Sequence, residues 1–178
     1  MDKFSYAKIY ELPDIQRAYN FQVDFSEAAN NTSERLSEFI NDITLRCHSA
    51  TIPERGNESI ELGFGALKTF YTGRPTFGNN QSTLVFAEHE DLKVSELLNA
   101  LHIETFDIVN HRGGSNRLKV NIKLYDNAGV HIGTYTLFNA YLESHSTVNL
   151  SHSSDSTGLR FSAVFRYDYH EYNPTNSN

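Results

Sequence analysis

Apolar and polar residues alternate along much of this chain, and the alternation predicts strands. From 19 to 26, Phe21, Val23 and Phe25 fall on one side while Gln22 and Asp24 fall on the other, as in a half-buried strand. Ile43, Leu45 and Cys47 alternate over 43–52. Pro53 follows and should end that strand, because proline has no N–H to give a ladder. Residues 60–64 and 67–72 are short strand-like pieces, and five of the ten glycines fall within 54–80. They predict a long hairpin with Gly63 and Gly65 near its tip. One domain cannot bury both faces of such a hairpin, so it is expected to reach a neighbour.

Residues 82–87 form a further strand. Leu118, Val120, Ile122 and Leu124 then give the clearest alternation in the chain. Asp126-Asn127-Ala128-Gly129 suits a type I turn. Val130, Ile132 and Thr134 start a return strand that is long enough to bend or split before Leu150. Residues 113–116 and 151–157 are loops. The last strand, 159–169, places Phe161, Phe165, Tyr167 and Tyr169 on alternate positions.

One segment changes period. Val94, Leu97, Leu98 and Leu101 stand at i, i+3, i+4 and i+7, an apolar helical stripe. A helix over about 89–103 is predicted, with Glu88, Glu90 and Asp91 in its first turn, where negative charge suits the helix dipole. Leu36, Phe39 and Ile40 allow a short helix inside the connection 27–41. One helix cannot cover two faces of this much sheet. The expected fold is mainly β: an antiparallel sandwich or partly closed barrel with one flanking α-helix and a long protruding hairpin. The 178 residues fit one domain, 1–178, with an N-terminal arm at 1–18 and a flexible tail at 173–178.

Charge narrows the functions. The net charge is −7, unfavourable for gripping phosphates, though a negative wall would repel nucleic acid. The N-terminus lacks the apolar core of a signal peptide, and no apolar run reaches membrane-spanning length, so no membrane anchor is expected and synthesis is placed in the cytoplasm. Cys47 is the single cysteine, which rules out an intrachain disulfide.

No catalytic pattern emerges. The eight histidines lack the spacing of a metal site; His145 and His152 are too far apart for a local ligand pair. There is no nucleophile elbow. Cys47 and His48 are adjacent in a strand and should point to opposite faces. Gly113-Gly114-Ser115 lacks the Lys-Ser/Thr of a phosphate loop. No enzyme activity, catalytic residue, metal or cofactor is expected. Clustered aromatics in a groove would instead fit a ligand- or carbohydrate-binding β domain.

Several segments, in order, resemble the tail-tube proteins of contractile-tailed bacteriophages. They are Asn20-Phe21-Gln22-Val23, Cys47-His48-Ser49-Ala50-Thr51-Ile52-Pro53, Phe70-Tyr71-Thr72-Gly73-Arg74-Pro75-Thr76-Phe77, Leu84-Val85-Phe86 before a single helix, and the closing run from Phe161 to Tyr169. The chain departs from the family in having no tryptophan and a longer 27–41 connection. The resemblance implies a structural subunit of the virion tail, assembled in the host cytoplasm. Homohexamer rings would stack around a lumen that passes viral DNA, with tail sheath, baseplate and tail terminator proteins as partners. It also implies a hairpin contact between rings, placed here on Ile60, Leu62, Phe64, Leu67, Phe70 and Arg74. A baseplate tube initiator, or a secretion-system or tailocin tube, shares these features.

Overall fold

The computed structural model describes residues 20–25, 46–107, 112–113, 117–146 and 158–175. The elements run β1 (Phe21–Asp24), β2 (Cys47–Ala50), β3 (Gly56–Phe64), β4 (Leu67–Thr76), β5 (Gln81–Ala87), α1 (Lys93–Thr105), β6 (Phe106–Asp107), β7 (Arg112–Gly113), β8 (Leu118–Tyr125), β9 (His131–His145), β10 (Arg160–Arg166) and β11 (Tyr169–Pro174). The arm at 1–18, the connection 27–41, Ile43, Leu45 and the loop 151–157 lie outside the described residues.

Seven strands form one antiparallel sheet in the order β1-β8-β9-β10-β5-β2, with β11 also on β9. Among the described residues the path does not close. Strands β3 and β4 make a separate two-stranded ribbon, and β6 pairs with β7 in another. Gly113 is therefore a strand residue, not part of the expected loop. This is the expected sandwich or partly closed barrel, with α1 packed on β9.

Strand β9 turns the sheet back on itself. Its first part pairs with β8 and β11, and its last part pairs with β10. Between them, Leu118 opposes Ala140 while Val120 opposes Leu137, so Phe138 and Asn139 share one partner residue. That is a β-bulge, which bends a strand. Asn139 supplies the left-handed backbone there, with φ 55°, a conformation asparagine tolerates. Its Nδ2 donates to Asp168 Oδ2 at 2.8 Å.

The final strand breaks where a single run was expected. Strands β10 and β11 flank the same side of β9 but part at Tyr167 and Asp168. The break shifts the alternation by one residue. Phe165 and Tyr167 are buried, then His170 is, while Tyr169 is 39% exposed. Tyr169 thus faces outward, contrary to the simple alternation, and stacks on Phe138 at 4.6 Å. Asn173 and Pro174 continue the ladder opposite Thr134 and Gly133, beyond the expected strand end.

The core follows the apolar positions. Val23, Phe25, Leu84, Phe86, Val120, Ile122, Leu137 and Phe165 are buried from the sheet, and Val94, Leu97, Leu98 and Leu101 from the helix. Each buried side chain of this kind contributes about 1.5–3 kcal/mol. Asn121, which alternates with the apolar positions of β8, is also buried, beside Thr136, whose Oγ1 donates to Asn121 Oδ1 at 3.0 Å.

The helix begins later than its acidic lead-in implied. Glu88, Glu90 and Asp91 precede it, and Glu96 is the acid of its first turn. Glu88 acts from outside. Its carboxylate accepts from Val94 N at 3.2 Å, Ser95 N at 2.8 Å and Ser95 Oγ at 2.7 Å. These satisfy first-turn N–H groups that lack partners within the helix. Asp91 takes both guanidinium nitrogens of Arg46, at 2.7 and 2.6 Å, and this fork holds its carboxyl well below the usual range.

Candidate assembly surface

The β3–β4 hairpin is where apolar residues escape the core. Its register runs Phe64↔Leu67, Leu62↔Thr69, Ile60↔Tyr71, and on the other face Glu61↔Phe70 and Ser59↔Thr72. Gly65 opens the two-residue loop at φ 61°, the positive φ that a type II′ turn needs at its first position. Directly opposed strand residues share a face. Ile60, Leu62, Leu67 and Tyr71 therefore form one apolar strip. Their exposures are 49%, 44%, 75% and 53%.

The six residues placed at this contact do not all share that strip. Ile60, Leu62 and Leu67 lie on it. Phe64 opposes Leu67 in the ladder, but its side chain is outside the described residues. Phe70, 63% exposed, stands on the opposite face beside Glu61 and Lys68, which pair at 2.6 Å. Arg74 lies beyond the bulge between Asn57 and Ser59, 3.8 Å from Glu58 and almost fully exposed. Tyr71 was missed. Counting outward from the Gly65 turn pairs it with Ile60, so the signal was in the sequence once the turn was fixed.

The main sheet also presents edges. Strands β1 and β2 end its path, and β11 pairs only with β9 among the described residues. An unpaired edge is a template for another chain. The edges here are short: β1 and β2 each span four residues.

Cys47 is partly buried against the core, and burial pushes its thiol up to about 12. His48 is exposed on the other face, so the pair does not meet. Among the described residues, no three His, Cys, Asp or Glu gather as a metal site needs. Arg166 and Gln81 both donate to Glu143, at 2.9 and 2.6 Å; they lower its carboxyl pKa, Arg166 the more. No described helix is long and apolar enough to cross a membrane.

No protein-family model and no curated protein matches the sequence. Solved structures do. A chain of the anti-feeding prophage baseplate, reconstructed with 6-fold symmetry, matches at TM-score 0.57 and 16% identity, over 90% of this chain and 97% of that one. A chain of the extended sheath–tube complex of the PVC extracellular contractile injection system matches at 0.58 and 14%, over 97% and 100%. A chain of that system's sheath/tube terminator matches at 0.60 and 14%, over 91% and 99%. The chain thus shares its fold with chains of these contractile-machine structures over 90% or more of its length, as the resemblance to tail-tube proteins implied.

Proposed function

We propose that this chain is a structural tube subunit of a contractile machine, forming stacked hexameric rings as the tail tube of a contractile phage. The observation that carries the reading is the exposed apolar strip of Ile60, Leu62, Leu67 and Tyr71. It sits on a ribbon that pairs with no other described strand, in a chain whose fold occurs in contractile machines. A monomer rarely leaves contiguous apolar surface uncovered, so such a strip marks a binding face.

The remaining parts of the proposal follow from that role. The partners are further copies of the chain, then sheath, baseplate and terminator proteins. The chain works by assembly and catalyses nothing. With a net charge of −7, a lumen walled by it would repel DNA phosphates and let the polymer pass. The site of action is the virion tail.

A second reading keeps the assembly and changes the address. The chain matches baseplate and terminator components about as well as the sheath–tube complex. This supports a ring at one end of a tube, or the tube of an extracellular injection system.

Negative-stain electron microscopy over a concentration series tests the assembly. Rings or stacked hollow tubes are expected, and deletion of residues 60–72 should leave a folded subunit that no longer polymerises. A wild-type chain that stays monomeric throughout, or a deletion that still forms tubes, contradicts the proposal.

A further inference from the structure

At the root of the hairpin, two buried polar atoms have no hydrogen-bond partner among the described residues: Tyr167 Oη and His170 Nδ1. Tyr167 is 2% exposed and His170 4%. The His170 ring meets Phe77 nearly edge-on at 5.2 Å and Tyr167 likewise at 5.8 Å. Leu137 stands opposite it on β9. Phe77 is the first residue after β4, so the imidazole rests against the hairpin's exit.

Backbone contacts tie this corner together. Asn80 N donates to Phe77 O at 3.1 Å, and Tyr167 N donates to Asn80 O at 3.0 Å. Asn80 Nδ2 reaches Asp168 O at 3.1 Å. Gly78 and Asn80 are both left-handed, at φ 62° and 55°. The charged groups acting here are Arg55, toward His170, and Glu54, toward Tyr167.

A buried imidazole with an unpartnered nitrogen tolerates its neutral form and penalises the cation. We propose that His170 is an acid-released latch for the β3–β4 hairpin, closed while the ring is neutral and loosened when it takes a proton. Protonation puts a charge among Phe77, Tyr167 and Leu137, with Arg55 adding repulsion. Burial first, and Arg55 second, hold the folded pKa below 6.5. The unfolded or opened ring therefore binds the proton first. The latch is at full strength above about pH 6.5 and weakens as pH falls from there toward the lowered value. This holds whatever the hairpin joins.

Histidine 102 provides a control, since burial and His145 lower its pKa too, but it lies on α1 against β9. Backbone hydrogen exchange of the full chain compares wild type, His170→Phe and His102→Phe at about pH 7.5 and about pH 5.5. Comparison at one pH cancels the intrinsic chemistry of exchange. At the lower pH, amides in 54–58 and 73–80 should exchange roughly tenfold faster in wild type than in His170→Phe. At the higher pH they should match, and His102→Phe should follow wild type at both. Equal exchange in wild type and His170→Phe at the lower pH overturns the latch, as does loss of the response in His102→Phe. If His170→Phe does not fold, an imidazole NMR titration of wild type decides. His170 titrating below 6.5, with hairpin amide shifts moving in step, supports the latch; titration at or above 6.5 overturns it.

Discussion

The helix α1 and the hairpin β3–β4 use leucine in opposite ways. Leu97, Leu98 and Leu101 are no more than 5% exposed, whereas Leu62 and Leu67 are 44% and 75% exposed. The helix stripe repeats at the period that lays it on β9, so it stabilises the monomer. The hairpin's strip shares a face with its own cross-strand neighbours and with no other described strand. The lesson is that apolar content alone does not locate the core. What decides is whether the fold brings a second layer to the apolar face.

That contrast predicts graded effects of substitution on the monomer. Phe165→Ala removes a fully buried ring that packs on Phe25 at 5.6 Å and should cost about 3–5 kcal/mol in denaturant unfolding. Glu88→Ala deletes a carboxylate that satisfies three donors at the start of α1; a loss of roughly 1–2 kcal/mol is expected, with helical circular dichroism reporting the damage. Leu67→Asp, at the exposed tip, should change monomer stability by no more than about 0.5 kcal/mol. If Leu67→Asp proved as costly as Phe165→Ala, the hairpin would belong to the core and the contrast would fail.

Much of the core was legible because alternation and helical period are local. Val23 in β1 and Leu118, Val120 and Ile122 in β8 are buried as the alternation implied, and so are the four stripe residues of α1, while Phe21 and Leu124 are only half-buried. The turn at Asp126 was legible too: Gly129 N donates to Asp126 O at 3.1 Å. What failed depended on partners distant in sequence. The bulge at Asn139 exists because β9 serves two sets of neighbours, and the break at Tyr167 because β10 and β11 must follow that bend. One displaced residue then turned Tyr169 outward. Glu88 was misplaced because a cap can reach forward from before the helix. On the hairpin, Phe70 was placed at the same contact as Ile60, Leu62 and Leu67, and register against Glu61 sets it on the other face of the ribbon from them.

The most direct test is sedimentation and electron microscopy of a Leu62→Asp, Leu67→Asp double variant beside wild type. The account predicts that both melt at the same temperature as monomers, that wild type forms rings and tubes, and that the double variant does not stack. A double variant that builds tubes as readily as wild type would contradict the assembly role of the hairpin.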